Sequence, residues 1–141
     1  MIERKIDTFL KEWKEDVNKK PLIVKGARQI GKTFSIMQFA TSSYKYVVNI
    51  NFALQEKFKT IFNDGFDVDA IINNITLLDP NIKIEAGNTL IFFDELQACS
   101  NCATSLKPFA IDGRYDVICS GSLMGINYHE IESNSVGYKT D

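Results

Sequence analysis

A chain of 141 residues, 45% apolar and 24% charged, has ordinary globular composition and enough length for one domain with a real core. Its net charge of -2 and isoelectric point near 5.4 supply no general basic field, so a strong nonspecific grip on nucleic acid is not indicated. No apolar run approaches the ~20 residues of a membrane span, and the amino-terminal stretch MIERKIDTFLKEW is too charged for a secretory signal, so we expect a cytoplasmic protein with no membrane partner.

In chain order, Ile2, Ile6, Phe9, Leu10, Trp13 and Val17 recur at three- and four-residue spacing with charges between them. That spacing predicts an amphipathic helix over residues 1–20, stopped by NKKP. Short apolar runs then alternate with helical patterns. PLIV precedes a helix from about Lys32 to Ala40, KYVVNINF precedes helical material from Gln55 to Leu78, TLIFFDE precedes a helix from about Cys102 to Ile111, and YDVICSGS follows. Apolar runs of this length read as strands buried on both faces, and their alternation with helices predicts a parallel sheet between helix layers.

Three cysteines, an odd number with Cys119 inside an apolar run, do not suggest a disulfide framework, in keeping with a reducing compartment. Cys99 and Cys102 in CSNC have the spacing of half a zinc site or a redox dithiol. No second such pair exists and His129 is the single histidine, so we read them as ordinary thiols.

Two stretches carry chemistry. GARQIGKT, from Gly26 to Thr33, follows an apolar strand and opens a helix, which is the context that the G-x-x-x-x-G-K-[ST] pattern requires. Gly26 and Gly31 let the backbone wrap so that successive N–H groups face a phosphate, and the positive end of the following helix faces the same anion. Lys32 reaches the β- and γ-phosphates, and the Thr33 hydroxyl is a ligand for Mg²⁺. The candidate nucleotide-binding set is therefore Gly26, Ala27, Arg28, Gln29, Ile30, Gly31, Lys32, Thr33 and Phe34. In LIFFDE, an apolar run carries Asp94 to the carboxyl edge of the sheet, where ligands of open α/β folds bind. Asp94 is expected in the Mg²⁺ shell and Glu95 as the group that orients an attacking water.

On these residues the chain resembles P-loop ATPases of the AAA type, with GARQIGKT as Walker A and LIFFDE as Walker B. More narrowly, PLIVKGARQIGKT, FFDELQAC and LKPFAIDGRYDVICSGSLMGI are similar to bacterial and archaeal AAA-domain ATP-binding proteins that carry a further C-terminal domain. The resemblance implies an α/β, three-layer P-loop NTPase fold whose parallel sheet has an additional strand between the Walker A and Walker B strands, preceded by the amphipathic helix. It implies ATP and Mg²⁺ as cofactors, and a core that drives or gates a partner domain or target, protein or nucleic acid, in a possible homo-oligomer.

The same resemblance makes Ser120, or second Ser122, the sensor of the γ-phosphate, and makes Asn49 or Asn51 the polar restraint on the catalytic glutamate. Such ATPases complete their site with an arginine from a neighbouring subunit and a helical lid. Residues 123–141 contain no arginine. Arg28 and Arg114 read as a solvated loop residue and a structural residue. We expect an ATPase core at 21–141 truncated before the fifth strand and lid, and hence an unpaired edge at PLIVKG. Two other readings stay open: a nucleotide-gated binding module with little hydrolysis, and a small-molecule kinase, against which Glu95 beside Asp94 argues.

Overall fold

The computed structural model describes residues 5–26, 30–122 and 135–139. Among them a five-stranded sheet has the order β2-β3-β4-β1-β5, with strands β1 (Leu22–Lys25), β2 (Tyr46–Asn51), β3 (Thr89–Asp94), β4 (Asp116–Gly121) and β5 (Val136–Lys139). Every pairing is parallel. The strand following the acidic pair thus lies between β1 and β3, as the sequence reading expects.

One expectation is overturned. Val136–Lys139 is the fifth strand: it lies against β1 with Leu22 opposite Val136 and Lys25 opposite Lys139. The strand at PLIVKG is therefore paired on both sides and is no sheet edge; among the described strands the outer positions belong to β2 and β5.

Alternation along the strands sorts side chains into two cores. Ile23, Val48, Ile50, Ile91, Phe93, Val117 and Cys119 face one layer, made by a 3-10 helix (Glu56–Phe62), α3 (Val68–Leu78) and α4 (Ser100–Asp112). Leu22, Val24, Leu90, Phe92 and Ile118 face the other, made by α1 (Lys5–Glu15) and α2 (Ile30–Ser43). All six residues of β3 are buried, as a central strand covered on both faces must be.

Helix α1 docks Ile6, Leu10 and Trp13 into this second core, and Phe9 lies 4.7 Å from the Tyr138 ring of β5. The expected apolar stripe does not extend to Val17, which is 92% exposed, because the helix ends at Glu15 and a turn closed by Lys19 N–H on the Asp16 carbonyl redirects the chain. Trp13 Nε1 donates to the Lys20 carbonyl at 2.8 Å and pins that turn. Ile2 lies outside the described residues.

The helical material from Gln55 to Leu78 is two helices. Gly65, at φ +100°, breaks it, and Asp67 caps α3 by accepting from Ala70 N–H at 3.3 Å. Helix α2 outruns its expected end at Ala40, and in its exposed last turn the Thr41 and Ser42 hydroxyls donate to carbonyls one turn back.

Candidate functional site

In a parallel sheet all strands deliver their carboxyl ends to one edge, and here β1, β3 and β4 deliver Gly26, Asp94 and Ser120 together. The register pairs Phe93 with Cys119, so Asp94 and Ser120 are one step further along neighbouring strands. The two-residue period then places both on the face of Phe92 and Ile118, beneath α2. Helix α2 carries Lys32 and Thr33 in its first turn, so four of the predicted residues meet over one strand edge.

Their contacts are specific. Ser120 Oγ donates to Asp94 Oδ1 at 2.6 Å, Glu95 N–H donates to the same oxygen at 2.9 Å, and Thr33 Oγ1 approaches Asp94 Oδ2 at 3.5 Å. Asp94 and Ser120 are buried. Lys32, also buried, directs Nζ to the Gly26 carbonyl at 3.5 Å. Gly26 itself has φ +155°, in the region glycine favours, and its N–H donates to the Gly121 carbonyl at 3.3 Å, which fastens the start of the loop to β4. Ala27, Arg28 and Gln29 lie outside the described residues. Ile30 begins α2, Gly31 follows it, and Phe34 is 56% exposed on the same turn.

A cation would find hard oxygen donors here. Thr33 Oγ1 and Asp94 Oδ2 face one another at a distance that is the outer limit of a hydrogen bond, so neither holds the other tightly. One carboxylate and one hydroxyl suit Mg²⁺, which takes its remaining ligands from water and phosphate and not from an all-protein cage. No group of three or more His, Cys, Asp or Glu gathers among the described residues.

Glu95 has left-handed backbone, φ 61° and ψ 52°, alone among described non-glycine residues in having positive φ. A short 3-10 turn (Leu96–Ala98) follows it, anchored by buried Leu96. Gln97 Nε2 donates to Glu95 Oε2, and Gln97 Oε1 accepts from Ser122 N–H at 3.1 Å. Sequence reasoning overlooked Gln97. Of the asparagines proposed for contact with the glutamate, Asn51 accepts from Ala53 and Leu54 N–H at 2.9 and 3.0 Å and so shapes the turn after β2, while Asn49 is exposed on the same strand.

Arg114 forks onto Asp112 and Asp69, which holds the Asp112 carboxyl below its usual range. Cys99 and Cys102 are buried at the start of α4, and burial pushes both thiols up, against the pull of a helix N-terminus.

A family model described as AAA domain matches residues 18–141. Among solved structures, Caenorhabditis elegans PCH-2 resembles the chain at TM-score 0.56 with 13% identity, over 96% of this chain and 41% of that one. Drosophila ORC bound to GC-rich DNA and Cdc6 resembles it at TM-score 0.53 with 11% identity, over 94% of this chain and 53% of that one. At these identities the likeness is one of fold, and the chain spans about half or less of either structure's length. No curated protein matches. With 18–141 covered and the sheet order in agreement, the chain belongs to the AAA-domain family of nucleotide-binding P-loop proteins.

Proposed function

We propose that the chain binds Mg-ATP at the carboxyl edge of β1, β3 and β4 and hydrolyses it, driving or gating a partner domain or target. The observation that carries this reading is the meeting of Lys32, Thr33, Asp94 and Ser120 over one strand edge, at the amino end of α2. In this reading Gly26, Gly31 and the loop between them supply N–H groups to the phosphates, and Lys32 turns from the Gly26 carbonyl to the β- and γ-phosphates. Phe34, exposed beside them, lines the nucleotide.

Thr33 and Asp94 would hold Mg²⁺, with Ser120 fixing the Asp94 carboxylate. Bound there, the ion would neutralise charge developing on the phosphoryl oxygens. Glu95 accepts a proton from the attacking water, or orients it, from a backbone held in the left-handed region. An arginine from a neighbouring copy completes the site in the same reading. A cytoplasmic setting is supported by three thiols outside any disulfide and by the described residues holding no helix long and apolar enough to cross a membrane.

Calorimetric titration with Mg-ATP and single-turnover phosphate release test it. Lys32→Ala should abolish or greatly weaken binding, whereas Glu95→Gln should bind as the wild type does and release phosphate at least about a hundredfold more slowly, the usual least contribution of a general base. Equal ATP affinity for Lys32→Ala and wild type would sink the site assignment. Transfer to an added acceptor in place of water would turn the reading toward a kinase.

A further inference from the structure

The side-chain amide of Gln97 joins two parts of the site that the sequence keeps 27 residues apart, the acidic turn at Glu95 and the end of β4 at Ser122. Its two ends are chemically distinct, and both are used. A carboxylate takes only a donor, so Nε2 faces Glu95; a backbone N–H takes only an acceptor, so Oε1 faces Ser122. The orientation of the amide is thereby fixed by its partners.

The backbone supports the same geometry. Left-handed φ and ψ at a glutamate cost roughly 1–2 kcal/mol, and such conformations persist only where surroundings enforce them. Here the enforcement is visible on every side. Glu95 N–H is held by Asp94, the Glu95 carbonyl accepts from Ala98 N–H at 2.9 Å, and Leu96, between the two side chains in question, is fully buried. With the turn so fixed, the freedom left to the Glu95 carboxylate is that of its side-chain rotamers, and Gln97 restricts it.

We infer that Gln97 is the positioning residue of Glu95, holding its carboxylate in register with the end of β4. This is the part that the sequence reading gave to Asn49 or Asn51, of which one shapes a turn and the other is exposed. Ser122 follows Ser120 by two residues, so a displacement at the end of β4 is passed to the Glu95 carboxylate by the Gln97 amide. The inference rests on Glu95 being the water-orienting group of the proposed hydrolysis.

Three variants of the full chain separate the possibilities: Gln97→Glu keeps an acceptor for Ser122 and sets a like charge against Glu95, Gln97→Leu removes both contacts at similar volume, and Glu95→Gln removes the group acted on. The expected result is Mg-ATP affinity within about twofold of wild type for both Gln97 variants, with single-turnover hydrolysis slower by at least about tenfold and at most the 10²–10⁴-fold that a general base contributes. Amide exchange at Ser122 should stay slow in Gln97→Glu and quicken in Gln97→Leu, so slow hydrolysis in both variants isolates the Glu95 contact from the Ser122 contact. In a Glu95→Gln background, Gln97→Leu should slow hydrolysis no further.

Wild-type hydrolysis in either Gln97 variant, or rate and affinity falling together, would overturn the inference. If Glu95→Gln itself hydrolyses as fast as wild type, the assignment of Glu95 has failed and the positioning role with it. The bridge is judged apart from turnover by the Gln97 side-chain amide protons in nuclear magnetic resonance, which must shift in Glu95→Ala; unchanged resonances would show that the contact does not exist in solution.

Discussion

Ser120→Ala removes one hydroxyl from beneath the sheet edge, and its cost follows from the contacts of Asp94. Ser120 is 1% exposed and its hydroxyl lies 2.6 Å from Asp94 Oδ1, so no water replaces it without rearrangement. A hydrogen bond to a charged group is worth about 1.5–3 kcal/mol. Asp94 Oδ1 keeps the Glu95 N–H and Oδ2 keeps its long contact with Thr33, so the carboxylate is not orphaned and the lower half of that range applies. We expect a loss of about 1.5–2 kcal/mol in unfolding free energy, roughly a 10- to 30-fold shift in the unfolding equilibrium. At this chain length that is a fall of about 3–8 °C in midpoint temperature. Urea titration followed by circular dichroism and by Trp13 fluorescence measures it, with an unchanged slope in denaturant showing that the same surface unfolds. In an Asp94→Asn background the acceptor is neutral, and Ser120→Ala should then cost about half as much. A loss under about 0.5 kcal/mol, or an equal loss in both backgrounds, would refute the claim that Ser120 acts on the Asp94 charge.

Two further outcomes are expected. Burial, and then the 2.5 Å hydrogen bond to Asp116, raise the Tyr44 phenol above its ordinary value. The unfolded phenol loses its proton near pH 10 while the folded one keeps it, so this contribution is whole below about pH 10 and shrinks as pH rises above it. Tyr44→Phe should accordingly lose less stability than wild type between about pH 9 and 11, as isothermal urea titrations would show. A Cβ on Gly137 would meet Lys25 Cε and Nζ at 3.0 Å, the far end of a side chain that can swing aside. Gly137→Ala should therefore change stability by less than about 0.5 kcal/mol, strain being offset by the stiffer unfolded chain; a loss above about 1.5 kcal/mol would show Lys25 to be fixed in place.

The strands that position the site were legible because burial on both faces leaves no polar gap: TLIFFD is apolar up to the residue that must meet ligand. The phosphate-loop pattern was legible because its spacing needs a strand before and a helix after, and both are present. Strand β5 was hidden for the opposite reason. VGYK is four residues long, contains a glycine and alternates between half-buried and exposed, so neither length nor hydrophobicity marks it; its pairing with β1 is a long-range fact. Val17 misled because three- and four-residue spacing continues past Glu15 while the backbone does not. The break at Gly65 could have been read, since NDG is a turn signal inside the supposed helix. Gln97 could not, because its importance lies in which two groups its amide meets across two strands.

The three cysteines, none in a disulfide and all buried, lie in the core on the face of the sheet opposite Asp94 and Ser120. Cys99 closes the turn that bears Glu95 and Gln97, Cys119 precedes Ser120, and Cys102 packs between them in α4. An alkylating reagent needs a deprotonated, accessible sulfur, and burial denies Cys99 and Cys102 both conditions at once. Each sulfur is thus alkylated only in molecules whose covering segment has momentarily lifted. Its labelling rate, counted sulfur by sulfur in a mass spectrum, is a clock for that opening. The chain carries native footprinting probes on the acidic turn, on β4 and on the helix that roofs them, so the breathing of each can be timed with and without nucleotide without introducing a single foreign group.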